Sequence, residues 1–544
     1  MPLIYKQPRN NFRGWAPGHM ATIIKNSTHA VTLTPDHPNV TITGTIHAKG
    51  DAGTYTSYGQ PVTFAAALFA PDTQNFTITN IGAILNKGKG TGIVLGAPGT
   101  LINKGLIQGG DDKLVSPDTV FGYAATDVKN TGTIVDIGAG SQILNTGSIL
   151  SYGADIYIQS NGTIRNAGLI GGDNPGHLGH GGIFLEHNAA LTNQSTGIIS
   201  GSTGVYFRDG IVNNAGTITG AFDAIDMAPD LPGNPGATTT NTGTITGGEN
   251  GVAINRGGTL INHGFIAGAK DGVVVYTYGG TIINAGTIVG DSAGATGNFN
   301  FAVQFLQNNN NRLVLRAGSD IIGSVSGGGG VLELDDTKSN FNAASLTQFA
   351  DFTTLQIDSG TTTDLAGNLT IAPTLTVLND GRIKESATDT ITIDSGITGT
   401  GTIDLSKTAL TLDGPVAATQ TIAFTGTGET LALGTPGSFA AAIEHFAAGD
   451  TIDLTGISLS SITATQFAGG VLTLTETSGS LTLTFANPGS FGTDTFSLFA
   501  DGANTGITLS APTTLAANQN TPGWLNNNFV PTPSSAISLV TLQA

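Results

Sequence analysis

The stretch Asn214-Ala-Gly-Thr-Ile218-Thr-Gly220 decides the fold, because nearly the same seven residues recur along the chain. The clearest further copies are Asn241-Thr-Gly-Thr-Ile245-Thr-Gly247, Asn262-His-Gly-Phe-Ile266-Ala-Gly268 and Asn284-Ala-Gly-Thr-Ile288-Val-Gly290. Earlier copies begin at Asn80, Asn103, Asn130, Asn145 and Asn166, and one copy has Ser195 in place of the leading Asn. Successive leading residues lie 15 to 29 positions apart. Such a repeat predicts stacked units rather than one globular core.

Each repeat also contains two further apolar stretches, such as Gly272-Val-Val-Val275 and Thr281-Ile-Ile-Asn284. Three short stretches per repeat, rich in β-branched residues, are typical of strands. They predict an all-β chain that forms a parallel β-helix, or β-solenoid, with rungs of about 21 residues spaced by about 4.8 Å. We expect the Ile residues to stack in the core, the Asn side chains to form an axial ladder, and the Gly to adopt positive φ at a corner.

The same Asn-x-Gly pattern also marks hairpin turns in antiparallel proteins. That alternative predicts strands of matching length on both sides of each turn. The regular recurrence of three strands per repeat favours the β-helix.

The sequence divides into four segments. Residues 1–30 contain Tyr5, Phe12 and Trp15 and are predicted to form an N-terminal cap or arm. Residues 31–326 form the predicted β-helix. Residues 327–520 form an acidic, Thr- and Leu-rich β module, either a second solenoid or a sandwich, in which Ser438–Phe446 is the one predicted helix. Residues 521–544 read as a Pro-containing linker and a terminal strand.

Composition limits the function classes. The chain has no Cys and a net charge of −18, and residues 331–544 carry only 4 basic side chains against 19 acidic ones. Clustered Lys and Arg are needed to bind phosphate backbones, so nucleic acid is not an expected partner. No stretch has the 18 or more apolar residues of a transmembrane segment. The N-terminal sequence also lacks the basic start and apolar segment of a signal peptide.

The repeats and two segments that follow them resemble those of a known protein family. The Asn-x-Gly-x-Ile repeats, followed by Gly323-Ser-Val-Ser-Gly-Gly-Gly-Gly-Val-Leu-Glu-Leu334 and Phe352-Thr-Thr-Leu-Gln-Ile-Asp-Ser-Gly360, resemble passenger regions of autotransporters and related large β-helical adhesins of Gram-negative bacteria. The resemblance covers roughly residues 76–360. Its motifs are architectural, and it implies an extracellular or cell-surface location.

Several acidic pairs are candidates for catalysis, because glycoside hydrolysis needs two carboxylates about 5 to 9.5 Å apart. The pairs are Asp111 with Asp112, Asp223 with Asp226, and Asp335 with Asp336. We interpret each as a set of solvated loop acids. Gly179-His-Gly181 and Arg382-Ile-Lys384 match two short signatures of polygalacturonases, but they lie in different modules. No catalytic residue and no cofactor-binding residue is therefore assigned.

Metal ligands are considered at two places. His177, His180 and His187 form a histidine cluster without the defined spacing of a structural zinc site. Calcium is the metal that the acidic module favours, at oxygen-rich turns such as Asp358-Ser-Gly360 and Asp394-Ser-Gly396. The metal ligands remain unknown at this level.

The sequence favours a non-enzymatic, secreted bacterial surface protein that is structural or adhesive. Self-association into filaments or a layer is expected, and cell-surface glycans are candidate partners. One alternative is a carbohydrate-active enzyme or depolymerase on a β-helix. Another is a passenger fragment of a larger autotransporter.

Overall fold

The computed structural model describes most of the chain between residues 22 and 510. The described residues are 22–48, 52–57, 60–71, 74–86, 91–95, 100–108, 120–122, 127–130, 142–146, 148–151, 154–160, 162–172, 182–229, 236–290, 301–306, 310–335, 339–385, 390–406, 409–477 and 479–510. The chain divides into two compact units, residues 1–330 and 331–544.

The first unit is a parallel β-helix with three faces, to which successive rungs contribute one strand each, and we number these faces sheets 1 to 3. Among the described residues, strand pairing in sheet 2 is interrupted between Leu106–Gln108 and Ser148–Ser151, and in sheet 3 between Val120–Gly122 and Ala154–Ser160. Sheet 1 consists of Thr22–Ile24, Asn39–Ile42, Thr77–Asn80, Thr100–Asn103, Asp127–Asn130, Gln142–Asn145, Thr163–Asn166, Ala189–Asn193, Gly210–Asn214, Ala237–Asn241, Thr259–Asn262, Thr281–Asn284 and Arg312–Arg316. Sheet 2 consists of Thr45–Ala48, Ala83–Asn86, Leu106–Gln108, Ser148–Ser151, Leu169–Gly172, Ile198–Gly201, Thr217–Gly220, Thr244–Gly247, Phe265–Gly268, Thr287–Val289 and Asp320–Ile322. Sheet 3 consists of Val31–Thr32, Gln60–Ala70, Thr91–Leu95, Val120–Gly122, Ala154–Ser160, Gly182–His187, Val205–Phe207, Ile225–Met227, Asn250–Ile254, Asp271–Val275, Phe301–Phe305 and Ser324–Ser326.

The predicted β-helix is therefore confirmed, and its strands start earlier than expected. Thr22–Ile24 pairs in parallel with Asn39–Ile42, although residues 22–30 belong to the segment predicted as a cap. Ala52–Ser57 and Gln60–Ala70 depart from the parallel pattern and pair antiparallel.

The Ile column of the repeat fills the core as predicted. Ile218 pairs with Ile245, Ile245 with Ile266, and Ile266 with Ile288, all in register. Each of these four side chains is fully buried. Identical side chains at neighbouring rungs give a continuous apolar column whose burial stabilises every rung through the next one.

The Asn residues form the predicted axial ladder at the corner between sheets 1 and 2. From Asn145 onward, each side-chain Nδ2 donates to the Oδ1 of the Asn one rung further on, at distances of 2.7 to 2.9 Å. The ladder passes through Asn145, Asn166, Asn193, Asn214, Asn241, Asn262 and Asn284. It ends where Asn284 donates to Ser319 Oγ at 2.7 Å. All the hydrogen bonds run in one direction along the axis.

The ladder shows that the prediction of Ser195 as the leading residue of one repeat is wrong. Asn193, not Ser195, pairs in register with Asn166 and Asn214, while Gly197 takes the place of the repeat glycine. The turn here contains three residues between Asn and Gly instead of one. Counting back from Gly197 by the usual two positions therefore gave the wrong leading residue.

The physical reason proposed for the repeat glycines is also wrong. Gly216, Gly243, Gly264 and Gly286 are described, and none of them has positive φ. Each instead lies against the preceding rung, so that a Cβ at Gly243 would stand 2.1 Å from the carbonyl oxygen of Gly216. Glycine is required because the corners stack too closely for any side chain.

The second unit is a solenoid and not a sandwich, because the strands of successive coils again pair in parallel. Sheet 4 consists of Val331–Asp335, Thr354–Ile357, Thr376–Asn379 and Ile397–Thr398. Sheet 5 consists of Ser339–Asn342, Thr362–Ala366, Arg382–Glu385, Thr402–Leu405, Thr421–Phe424, Ala442–Glu444, Gly479–Phe485, Val471–Glu476 and Ile462–Ala468. Sheet 6 consists of Leu369–Ile371, Ile391–Ile393, Ala409–Leu412, Thr430–Leu433, Thr451–Leu454, Asn504–Ser510 and Thr495–Asp501. A short strand, Phe349–Ala350, follows the helix Ala343–Gln348.

Antiparallel hairpins complete sheets 5 and 6. Ile462–Ala468 and Val471–Glu476 pair antiparallel, as do Thr495–Asp501 and Asn504–Ser510. Beneath them Phe485 packs its ring 5.1 to 5.7 Å from the rings of Phe446, Phe491 and Phe496. The hairpins and this aromatic cluster cover the last coil, as a solenoid end requires.

The predicted helix at Ser438–Phe446 is wrong. The segment contains the end of a 3₁₀ turn, Pro436–Ser438, and the strand Ala442–Glu444. Phe439, Ala441 and Ile443 are buried at every second position, which is the period of a strand. The α-helix of the described residues is Ala343–Gln348, six residues long with Asn342 as its N-cap. No helix within the described ranges is long and apolar enough to cross a membrane. The predicted linker and tail, residues 521–544, lie outside the described ranges.

Candidate functional site

Asp223 and Asp226, one of the predicted acidic pairs, lie together at sheet 3. Asp226 points outward from the strand Ile225–Met227, between two buried side chains, and Asn255 Nδ2 donates to its Oδ1 at 2.5 Å. Asp223 precedes the strand, and Asn250 Nδ2 donates to its Oδ1 at 2.7 Å. Both acids are partly buried and paired with amides of the next rung, so they are not freely solvated loop acids.

The surroundings favour the neutral form of the Asp226 carboxyl. Burial, reinforced by the negative charge of Asp223, raises the pKa of Asp226 to about 7, although the Asn255 hydrogen bond lowers it. Burial also raises the pKa of Asp223, which the hydrogen bond from Asn250 opposes. A carboxyl group that titrates near neutral pH can act as a general acid.

A second polar ladder runs inside the adjoining corner. Asp271 pairs in register with Asn250 and is fully buried. Its Oδ1 accepts a hydrogen bond from Phe301 N at 2.9 Å, whereas its Oδ2 and the Oδ1 of Asn250 have no hydrogen-bond partner. Burial raises the pKa of Asp271. A neutral Asp271 carboxyl carries a proton on one oxygen, so it can act as a hydrogen-bond donor where the carboxylate cannot.

Asp271 and Asn250 were not predicted as site residues, although the sequence contains a signal for them. Asp223, Asn250 and Asp271 each stand directly before the Gly or Ala that opens the sheet 3 motif. A polar residue repeated at one motif position marks a side-chain ladder, as at the Asn corner.

An aromatic column leads along sheet 3 to Asp226. Phe184 pairs in register with Tyr206, and Tyr206 with Asp226. The two rings stack with centroids 4.6 Å apart and planes inclined by 9°. The guanidinium carbon of Arg208 lies 6.0 Å from the centroid of the Phe184 ring. This strip of sheet 3 thus combines stacked rings, a cation and an acid whose pKa is raised.

Three carboxylates of the second unit lie close enough to share a metal ion. One oxygen from each of Glu333, Asp335 and Asp358 lies within 4.8 Å of the others. Asp358 belongs to one of the two turns for which calcium was considered, and Gln356 Nε2 donates to it at 2.6 Å. Among the described residues, this group could offer oxygen ligands to a hard cation.

The other candidate residues are dispersed. Asp394 lies beside Asp413, and burial together with the charge of Asp394 raises the pKa of Asp413. Arg382 Nε forms an ion pair with Asp404 at 2.5 Å. The arginine of the Arg382-Ile-Lys384 signature therefore stabilises the coil. His187 ends a strand of sheet 3, in register with Ser160. The remaining candidates lie outside the described residues: Asp111, Asp112, His177, Gly179, His180, Gly181 and Asp336.

An uncharged groove of about 530 Å³ lies at the widened corner between Asn193 and Gly197. It spans three rungs on the outside of the Asn ladder. Its lining consists of Thr192, Asn193, Gln194, Ser195, Thr196, Asn213, Asn214, Ala215, Thr240 and Thr242. The groove was not predicted from the sequence, because Ser195 was assigned to the leading position of the repeat.

Comparison with known proteins assigns no family to this chain. No protein-family model, no curated protein and no solved structure matches the chain.

Proposed function

We propose that this chain is a non-enzymatic β-solenoid of the bacterial cell surface, with a structural or adhesive role. The proposal rests on the structural roles of the repeated residues. Asn214 and its equivalents bond along the axis, Gly243 and its equivalents allow close stacking, and Ile245 and its equivalents fill the core. The repeated residues therefore all hold the coil together, and the coil presents an extended surface.

The composition supports this role. Only 11% of the residues are charged and Cys is absent, so the coil is held by side-chain ladders and apolar columns rather than by disulfides. A solenoid grows by adding rungs without enlarging its core, which suits display of a long polar face. The resemblance to passenger regions of bacterial adhesins points the same way.

An adhesion experiment tests the proposal. Beads coated with the purified chain are incubated with host cells or with cells of the encoding bacterium, and retained beads are counted after washing. We expect retention above that of beads coated with an unrelated acidic protein of similar charge. Equal retention, together with unchanged adherence and envelope integrity of bacteria lacking the gene, would reject the proposal.

Self-association is a further part of the proposed function. The charge-poor segment 523–544 is predicted to contain a strand, and an added strand can pair with an exposed sheet edge of a second copy. Electron microscopy of the full chain should then show filaments or sheets that are absent when residues 523–544 are deleted. Assemblies that persist after the deletion would remove this segment from the proposal.

A carbohydrate-active enzyme is the second candidate, favoured by the raised pKa of Asp226 and by its place beside Asp223. A carboxyl group with a raised pKa could protonate a leaving oxygen while a second carboxylate acts as base or nucleophile. Incubation with polysaccharides should release reducing ends in this case. The activity should disappear in Asp226→Asn and persist in Asp36→Asn, an exposed position. If neither wild type nor Asp36→Asn releases reducing ends, the enzyme hypothesis fails.

A further inference from the structure

The groove at residues 192–196 exists because one corner of the coil departs from the repeat. Gln194, Ser195 and Thr196 stand where other rungs have a single residue between Asn and Gly. Ser195 and Thr196 are exposed and form one wall. At the next rung the corresponding corner residue is Ala215, whose small side chain leaves a depression before Thr242.

The widened turn is held by defined hydrogen bonds. Gly197 N donates to Gln194 O at 2.8 Å, and Thr196 Oγ1 donates to Ala167 O of the preceding rung at 2.8 Å. Beneath the turn the Asn ladder continues unbroken, because Asn193 Nδ2 donates to Asn214 Oδ1 at 2.8 Å. The groove therefore rests on a fixed floor, which lowers the entropy cost of binding a ligand.

The lining is uncharged and contains both polar and apolar groups. Besides Ala215, every lining residue carries a side-chain hydroxyl or amide, and none carries a charge. Hydroxyl and amide groups both donate and accept hydrogen bonds, as sugar hydroxyl and acetamido groups do. The volume lies within the range of about 300 to 1,000 Å³ that is usual for small-ligand sites.

We propose that this groove binds a short segment of a neutral oligosaccharide. The inference rests on the proposed adhesive function and names its ligand class. No lining residue supplies a cation, so a carboxylate or sulfate on a charged sugar would gain no ion pair from the lining. A wholly apolar ligand would cover the lining hydroxyls and amides without satisfying them, whereas a neutral sugar offers hydroxyls to these groups and C–H faces to the apolar part of the lining.

A set of three variants tests the groove. Ala215→Trp fills it from an exposed position. Deletion of Gln194 and Ser195 restores the regular corner, leaving Asn193-Thr196-Gly197 in the pattern of Asn241-Thr242-Gly243. Ala285→Trp is the matched control, because Ala285 occupies the same corner position of a rung that does not line the groove. Thermal melts of all three establish that the coil is folded.

The probe is an array of neutral hexose and N-acetylhexosamine oligosaccharides beside sialylated and sulfated ones. We expect the wild type and Ala285→Trp to bind neutral members, and both groove variants to bind them at least about tenfold more weakly. Binding that is absent, confined to charged members, or equal in a folded Ala215→Trp variant would overturn the inference. Array binding that is equal in the groove variants and the wild type, together with retained bead adhesion, would reject this ligand site while leaving the proposed function intact.

Discussion

At the scale of the residue, the Asn ladder joins rungs by hydrogen bonds that are buried and point in one direction. Asn214 accepts from Asn193 and donates to Asn241, with both distances at 2.8 Å. A buried amide left without a partner costs about 1–3 kcal/mol, more than a single hydrogen bond contributes when it forms. The ladder therefore makes each Asn depend on its neighbours.

Asn214→Ala should lower the free energy of unfolding by about 1–3 kcal/mol for each amide left unpaired. Asn213→Ala is the matched control, because Asn213 is exposed and adjacent on the same strand. Urea unfolding followed by circular dichroism measures the difference. Equal midpoints for the two variants would mean that the ladder does not stabilise the coil.

Asp226 should make stability depend on pH. Its folded pKa of about 7 lies above the usual value of 3.8, so the fold favours the neutral carboxyl. This contribution is complete below the usual pKa and is lost as the pH rises through about 7. The melting temperature of Asp226→Asn relative to wild type should therefore be higher at about pH 8 than at about pH 5.

Asp36→Asn provides the control for that measurement, because Asp36 is exposed in the same unit. Its difference from wild type should stay constant across the same pH range. A constant difference for Asp226→Asn as well would show that the fold does not favour its neutral form.

At the scale of the element, the corners of the coil explain why glycine recurs. A Cβ at Gly243 would lie 2.1 Å from Gly216 O and 2.6 Å from the carbonyl carbon of Ala215. Gly243→Ala should therefore destabilise the first unit by about 1–3 kcal/mol or more, since the contacted atoms are backbone. Gly437→Ala is the comparison, because a Cβ there would meet nothing within 4 Å. Similar urea midpoints for the two variants would contradict close stacking.

The hairpins that cover the last coil depend on the aromatic cluster. Phe485 is 3% exposed and packs against Phe446, Phe491 and Phe496, whereas Phe499 is 38% exposed. Phe485→Ala should cost about 3–5 kcal/mol, and Phe499→Ala clearly less. Limited proteolysis should then cut residues 462–510 faster in Phe485→Ala only. Equal cutting rates would exclude the cluster as the support of the hairpins.

The strands could be predicted because each carries its period in a few consecutive residues. The corner glycines could not be explained correctly, because the oxygen that excludes a side chain belongs to a residue about one rung away. The same limit applies to Asn193, whose place in the ladder depends on Asn166 and Asn214. The Ala-rich segment at 438–446 favoured a helix by composition, but its alternate buried residues place it in a strand.

At the scale of the whole molecule, candidate sites were less predictable than the coil. Asp223 and Asp226 were paired from sequence alone because they are three residues apart. The meeting of Glu333 and Asp335 with Asp358 required the pairing of two strands in register. The groove lies where one corner contains two extra residues, and a search for matching repeats does not detect such an insertion.

We propose above all that this chain lies on the surface of the cell. Immunogold labelling of intact, unpermeabilised cells of the organism that encodes it, with cells lacking the gene as control, tests this proposal most directly. We predict gold particles on the outer surface of wild-type cells only. Label that is absent from intact cells and present only after permeabilisation would contradict the account.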